Sequence, residues 1–413
     1  MNKEVYLRLS NLFLRGISML SKFALVICIA KFLTLEEVGT YGLFAATISF
    51  SVIALGGEFY TYSQRELLSV GREGWPSVLR NQALASLVLY CVFLPAQLLI
   101  FYKGFIPFSL MLVYFIILVL EHVAQELNRI LIAMHKQLIA SIILFFRLGA
   151  WGWVAIGLFY INPIFRTLDT VLYLWALGTT TAIVISVIYI ARWVPGFNQA
   201  EFDWQWIKKG YTVATKFFIS TICVKVIMTF DRYIAESVSG TDFLAVYAVY
   251  ASIAMAVNSV LVPTVFSFMY PRLVESYRKN NLEQYRNNLK EMLYSTLLIG
   301  GGVAVIIGGL SPFVFTWVDK AIYGEHIVYL WWLLLFSFLY CLSMVPHYVL
   351  YAKGKDKEIL VSHVMSVVVF SVGGALCYIN RDIDILFWTL SLSMFSMLII
   401  KSVFAGKSAS AQQ

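Results

Sequence analysis

Charged residues are scarce in this sequence, because Asp, Glu, Lys and Arg together make up only 13% of its 413 residues. Soluble globular chains carry about 25% charged residues, so this composition excludes the soluble class. Hydrophobic residues account for 60% of the chain, and the mean hydropathy is +0.78. We therefore predict an all-α polytopic membrane protein that is embedded in the lipid bilayer.

Cysteine is also rare, with five residues and no close pair. All five lie inside apolar runs, so they are interpreted as small buried hydrophobes, and neither a disulfide framework nor a zinc site is predicted. No glycine-rich phosphate loop is present, so nucleotide hydrolysis is excluded as an energy source and no cofactor is expected. The N-terminal residues lack a signal-peptide pattern, and the first helix is expected to remain as an anchor.

Twelve apolar runs are long enough for a membrane-crossing helix, which needs roughly 20 residues. The predicted spans are 10–32, 41–61, 79–101, 107–128, 138–160, 170–191, 213–235, 243–267, 291–317, 327–350, 359–379 and 384–404. Of the 31 lysines and arginines, 20 lie in alternate segments counted from the N-terminus or at the span edges next to them, 5 in or next to the other segments, and 6 at membrane depth. This bias predicts that both termini are cytoplasmic. It also explains the net charge of +8 without nucleic-acid binding.

A polar segment lies at the middle of the chain. Residues 193–212 contain Pro195, Gly196 and several tryptophans, which is typical of an interfacial linker. We therefore predict an N-terminal six-helix bundle over 1–192 and a C-terminal six-helix bundle over 213–413.

The two predicted bundles share a sequence pattern. FLTLEEVGTYGLFAATISF in the first half matches SVSGTDFLAVYAVYASIAM in the second. Six spans separate the copies, so both have the same orientation and form a parallel repeat of the kind found in alternating-access transporters. The matched pairs are Glu36 with Asp242 and Tyr41 with Tyr247 at an offset of 206, and Arg65 with Arg272 at an offset of 207.

These motifs resemble a known family. AKFLTLEEVGTYGLFA, DRYIAESVSGTDFLAVYAVY and YPRL are similar to the hairpin motifs of the polysaccharide exporter branch of the multidrug/oligosaccharidyl-lipid/polysaccharide (MOP) superfamily, which includes the O-antigen (Wzx-like) flippases. Ala245 departs from the pattern, because the family usually has glycine before the tyrosine. The resemblance implies a MATE-like fold.

The same resemblance implies a function. It points to a flippase that moves an undecaprenyl-pyrophosphate-linked oligosaccharide, such as an O-antigen unit for lipopolysaccharide, across the bacterial inner membrane. A polysaccharide polymerase and a chain-length regulator are then expected as further partners.

Basic residues at membrane depth are the main candidates for substrate binding. Lys22 in helix one, Arg147 in helix five and Lys225 in helix seven lie near the predicted midplane. A cation at this depth costs at least about 2.5 kcal/mol, so it faces a protein interior or a wet path. We predict that they line a cationic cavity for pyrophosphate and that alanine at each abolishes export without loss of protein. Structural pairing with Glu121 or Glu126 is the alternative.

Three further basic residues belong to the same set. Arg15 and Lys216 either extend the cationic stripe or reach the headgroups from the cytoplasmic helix ends. Arg232 and Asp231 are adjacent and so point to different faces of the helix. Arg232 either faces the cavity, marks the outer helix end or forms an ion pair with another helix.

Proton coupling is expected to use a buried acid or histidine. The candidates are Glu58, Glu121, His122, Glu126 and Asp231. Glu58 is equally interpreted as an interfacial acid. Three residues of the second half are not predicted to take part in transport. His347 and His363 are interpreted as structural histidines, and Lys401 as part of the cytoplasmic end.

Three alternative functions predict features that differ from those of a polysaccharide flippase. A cation-coupled multidrug exporter of the same superfamily should show an acidic cavity. A membrane repeat-unit polymerase should carry a large outer loop, and a lipid II flippase should have fourteen helices. None of these features is visible in the sequence, so a non-enzymatic flippase is the preferred hypothesis.

Overall fold

A computed structural model describes residues 3–197 and 201–410, with side chains over 10–197 and 201–407, so positions 198–200 of the predicted linker lie outside the described residues. Helices account for almost all of this range. They are α1 Lys3–Phe32, α2 Leu35–Gly56, α3 Tyr60–Ser69, α4 Trp75–Tyr102, α5 Met111–Ala133, α6 Gln137–Phe145, α7 Trp151–Ile161, α8 Leu168–Ala191, α9 Trp204–Ala254, α10 Ala256–Leu261, α11 Ser267–Arg278, α12 Leu282–Ser295, α13 Gly301–Val318, α14 Ala321–Glu325, α15 Ile327–Ala352, α16 Asp356–Asn380 and α17 Asp384–Ser410.

The helices confirm a multi-pass membrane protein. Within the described ranges, 11 helical segments are long and apolar enough to cross a bilayer. One of them, Trp204–Arg278, has 75 residues, or about 110 Å of helix, against a hydrocarbon core of about 30 Å. Its backbone breaks at Gly240 (φ 81°, ψ 179°), inside the predicted turn between helices seven and eight. Glycine adopts this conformation without a Cβ penalty. The total of twelve crossings and the cytoplasmic termini stay predictions.

The chain forms two compact units that meet in sequence between Ile222 and Cys223. The last part of the predicted linker, 193–212, is helical in the structure, because α9 begins at Trp204. Its first turns belong to the N-terminal unit for a packing reason. Ile207 is buried with Phe59, and the Tyr211 hydroxyl donates a hydrogen bond to the Ala85 carbonyl at 2.7 Å.

In the N-terminal unit, α5 packs along α8, while α1 packs against α6 and α7. The start of α2 is closed by a capping box between Thr34 and Glu37, which satisfies two backbone groups that a helix end leaves open. The second Glu37 oxygen accepts the Leu168 amide at 2.9 Å and so ties α2 to the start of α8. Within the LEE motif, Glu37 rather than the repeat-matched Glu36 makes these contacts.

The C-terminal unit is organised around α17, along which both α15 and α16 pack. Close approach of α16 to α17 depends on Gly373. A Cβ at this position would lie 2.1 Å from Thr389 Oγ1 and 2.8 Å from its Cβ, so any side chain forces the two helices apart.

We expect Gly373→Leu to lower the free energy of unfolding by about 1–3 kcal/mol, the usual cost of overpacking. The measurement is thermal unfolding of the purified protein in detergent. Gly302→Leu is the matched control, because Gly302 also lies in a helix but no atom lies within 4 Å of its Cβ position. Equal melting temperatures for the two variants would contradict the close approach.

Candidate functional site

A buried polar network is centred on Glu121 in the middle of α5. Its carboxylate is 4% exposed and accepts four hydrogen bonds. Arg147 donates two of them to Oε2, from Nε at 2.9 Å and Nη2 at 2.6 Å. Trp175 Nε1 at 2.8 Å and Thr179 Oγ1 at 2.9 Å donate to Oε1. Both oxygens are therefore satisfied, and an arginine compensates the charge.

Local sequence explains how Arg147 reaches this position. Predicted helix five is divided into α6 and α7 by a π-helical turn at Phe146–Ala150, a feature that is frequent at functional sites. The Trp151 indole donates to the Arg147 carbonyl at 2.9 Å. It also stacks on Trp175, with ring centroids 5.8 Å apart and planes at 6°. The widened turn and the stacked indoles hold the guanidinium against α5.

A second ion pair lies further along α5. Glu126 accepts hydrogen bonds from Arg129 Nη1 at 2.6 Å and from Gln82 Nε2 at 2.7 Å. The Arg129 guanidinium lies over the Tyr60 ring, 3.5 Å from its centroid. These contacts neutralise Glu126 and add a cation–π interaction.

Two more proton-coupling candidates lie in the same unit. His122 is 2% exposed, and its Nδ1 lies 2.7 Å from the Tyr90 hydroxyl. Its Nε2 has no hydrogen-bond partner among the described residues. Glu58 is 7% exposed and lies near the side chains of Tyr60 and Thr221.

A cavity of about 830 Å³ opens beside this network. Gln82, His122 and Glu126 form a polar strip on one wall, and side chains such as Leu87 and Val187 make the rest apolar. A volume of this size is typical of small-molecule sites, which combine apolar walls with a few convergent polar groups.

The C-terminal unit contains one comparable acid. Asp231 is 2% exposed and accepts hydrogen bonds from the Tyr247 hydroxyl at 2.6 Å and from Arg232 Nη1 at 3.0 Å. The backbone amide of Arg232 also donates to it at 2.8 Å. A void of about 20 Å³ lies beside the pair and is lined in part by Ser337. This volume suits a single water molecule.

The repeat tyrosines have similar surroundings in their own units. Tyr247 donates to Asp231. Tyr41 packs edge-on against Trp175, with ring centroids 6.4 Å apart, and is an electrostatic neighbour of Glu121. Each repeat tyrosine therefore lies next to a buried acid that has an arginine partner.

The predicted basic residues separate into two groups. Arg15, Lys22 and Lys216 have exposed side chains. Arg15 and Lys22 are seven residues apart on α1, so they project from one face of that helix. Ser18, which lies between them on this face, is buried, so the face is only partly exposed within the N-terminal unit.

The other predicted basic residues are at least partly buried. Arg147 is paired with Glu121, as the alternative interpretation allowed. Within the described part of the chain, Arg232 pairs with its neighbour Asp231 and not with another helix, because its guanidinium folds back onto the adjacent carboxylate. Lys225 is partly buried.

The neutral members of the network carry only a weak signal in the sequence. Trp175 and Thr179 are one helical turn apart in an apolar span, and this spacing is the signal that could have selected them. Gln82, in α4, is a polar residue just inside a predicted span. Lys401, which the sequence predicts at the cytoplasmic end, is completely buried. Within the described ranges, no three His, Cys, Asp or Glu side chains come together as a metal site.

Solved structures show that the fold is shared with known transporters. An inward-facing conformation of a multidrug resistance MATE family transporter of the MOP superfamily matches with a TM-score of 0.78 and 16% identity over 98% of each chain. An outward-facing conformation of a multidrug resistance MATE family transporter of the MOP superfamily matches with a TM-score of 0.66 and 16% identity, over 100% of this chain and 99% of that one.

A MATE structure in complex with MaL6 matches with a TM-score of 0.68 and 16% identity, over 100% of this chain and 99% of that one. No family model and no curated protein matches the sequence. The predicted MATE-like fold is therefore confirmed. At this identity the likeness establishes the fold alone.

Proposed function

We propose that this chain is a membrane transporter that moves an anionic, lipid-linked saccharide across the bacterial cytoplasmic membrane by alternating access. Whole-length likeness to MATE transporters supports the transport part. The resemblance of the hairpin motifs supports the substrate class, an undecaprenyl-pyrophosphate-linked oligosaccharide. A polymerase and a chain-length regulator would then act on the product.

The distribution of charge in the protein supports an anionic substrate. Glu121, Glu126 and Asp231 each have an arginine partner, so their charges are already compensated within their own units. Arg15 and Lys22 have exposed side chains on α1. Exposed cations at membrane depth need water or an anion rather than hydrocarbon. A pyrophosphate group supplies that anion, and arginine and lysine both bind phosphate well.

Transport of a labelled lipid in vesicles tests this proposal. The purified protein is reconstituted with a fluorescent undecaprenyl-pyrophosphate saccharide, and its movement between leaflets is followed with a membrane-impermeant quencher. We expect Lys22→Ala to slow the movement by about tenfold or more, because a charge-assisted contact contributes about 1.5–3 kcal/mol. Lys103→Ala is the control, since Lys103 lies in an exposed loop. Equal rates for the two variants would refute the basic path.

A multidrug exporter is the second candidate function. The cavity of about 830 Å³ favours it, because its apolar walls and few polar groups suit an amphipathic small molecule. So does the likeness to structures described as multidrug resistance transporters. The same vesicles, loaded with a cationic dye, separate the two functions. Dye export without lipid movement supports the exporter, and lipid movement without dye export supports the flippase. Polymerised saccharide would instead indicate the polymerase.

A further inference from the structure

Lys401 is the least expected charged residue of the C-terminal unit. It lies on α17, its side chain is 0% exposed, and no water-sized space touches its Nζ. Among the described residues, Nζ has neither a hydrogen-bond partner nor an ion pair. Burying a charged ammonium without an acceptor is very costly, so this position demands an explanation.

A stacked pair of histidines lies on the neighbouring helices, and one of them, His347, is an electrostatic neighbour of Lys401. His347 on α15 and His363 on α16 stack with ring centroids 6.0 Å apart and planes at 9°. Lys401 and His363 are both electrostatic neighbours of His347. The His347 Nδ1 atom is also buried without a hydrogen-bond partner among the described residues. Three basic groups from three packed helices therefore meet at one place.

Other titratable groups on the packed helices do not supply a counter-charge, since Lys401 has no ion pair among the described residues and Asp356, in the first turn of α16, is exposed. On α15, Tyr340 and Cys341 are neutral groups. At the start of α16, Glu358 pairs with Lys355 at 3.7 Å. Lys353, after α15, donates to the Ala405 carbonyl at 3.4 Å.

The remaining charges of α17 lie at its ends. Lys407 has an exposed side chain, and Asp384, at the opposite end, accepts a hydrogen bond from the Tyr329 hydroxyl at 2.9 Å. The cluster of Lys401, His347 and His363 is thus basic throughout.

The absence of free space decides which ligand fits. A chloride, phosphate or water in contact with Lys401 would need a void beside Nζ, and none exists there. A proton needs no void. An amine and an imidazole each have a lone pair that can take one.

We propose that Lys401, His347 and His363 form a proton-binding site in the C-terminal unit. In the packed arrangement of α15, α16 and α17, Lys401 is a neutral amine. When these helices separate and water reaches Nζ, the amine takes one proton from water and becomes an ammonium. Repacking returns that proton to water, so no other bond forms or breaks. This inference rests on the proposed transport function and names the proton as its coupling ion, because a ligand that binds one conformation better shifts the equilibrium towards it.

Thermal unfolding against pH tests the site without any substrate. The unfolded chain carries a protonated Lys401, so the folded chain binds one proton fewer. Stability then rises with pH, and the unfolding constant falls by up to tenfold per pH unit. We expect this rise between about pH 7 and pH 9, where the histidines of the unfolded chain are neutral. Lys401→Met should flatten it and Lys407→Met should not. Equal slopes in all three proteins would overturn the inference.

Gradient-driven transport in vesicles provides the second test. Lys401→Met is expected to retain exchange of the labelled lipid without a gradient but to lose stimulation by an imposed pH gradient. Lys401→Arg should lose the stimulation as well, because a guanidinium does not release its proton. A purely structural role would reduce exchange and stimulation together, and stimulation retained in Lys401→Met would overturn the proposal.

The two tests distinguish a failure of the proposed proton site from a failure of the proposed transport function. If the wild-type protein moves no lipid, the proposed function fails, and the unfolding measurement still decides the proton site. If Lys401→Met does not fold, His347→Gln is measured in its place. Its loss of gradient stimulation supports the site, and its retention overturns it.

Discussion

Replacement of Arg147 by leucine is expected to destabilise the N-terminal unit by about 3–5 kcal/mol, the usual cost of breaking a buried ion pair from one side. The reason is the geometry of Glu121, whose Oε2 loses both of its donors while the carboxylate stays 4% exposed. Thermal unfolding in detergent and the yield of monodisperse protein measure the effect. The expected loss of stability differs from the sequence-based expectation that alanine at Arg147 abolishes export without loss of protein.

A double variant provides the control for this prediction. Glu121→Gln removes the charge that Arg147→Leu leaves unpaired, so the two changes together should recover a substantial part of the lost stability. Thr179→Val is milder, because it removes one of four hydrogen bonds to Glu121 and should cost about 1–3 kcal/mol. A stable Arg147→Leu protein with no transport would assign Arg147 to the substrate path instead.

Replacement of Asp231 by alanine is expected to destabilise the C-terminal unit by a similar amount, about 3–5 kcal/mol. It leaves the Arg232 guanidinium, which is 12% exposed, without its carboxylate, and it removes the acceptor of the Tyr247 hydroxyl. The measurement is the melting temperature of the purified protein.

Tyr247→Phe separates the ion pair from the hydrogen bond. It keeps Asp231 with Arg232 and removes only the 2.6 Å contact, so a loss of about 1–3 kcal/mol is expected. If Asp231→Ala melted at the same temperature as Tyr247→Phe, the ion pair would contribute nothing. Asp231 would then be better explained as a transport residue, as the proton-coupling interpretation predicted.

The membrane class of this protein was predictable from its sequence for a physical reason. In lipid every backbone polar group must be satisfied within the chain, so a crossing segment is a long apolar helix that hydropathy alone reveals. The turn at Gly240 falls between predicted spans for the same reason. The mixed composition of 193–212 hid the helix from Trp204, because Ile207 and Tyr211 join the N-terminal unit through packing that no local pattern encodes.

Depth along a helix is a local property, and the sequence alone determined which charges lie at membrane depth. Only the tertiary structure decided which of them find partners. Glu121 and Arg147 are 26 positions apart and meet because α5 and the turn after α6 pack together. Lys401 looks like a helix-end cation in sequence. It is buried because α15 and α16 cover α17 at that level, and burial depends on neighbouring helices rather than on residue spacing.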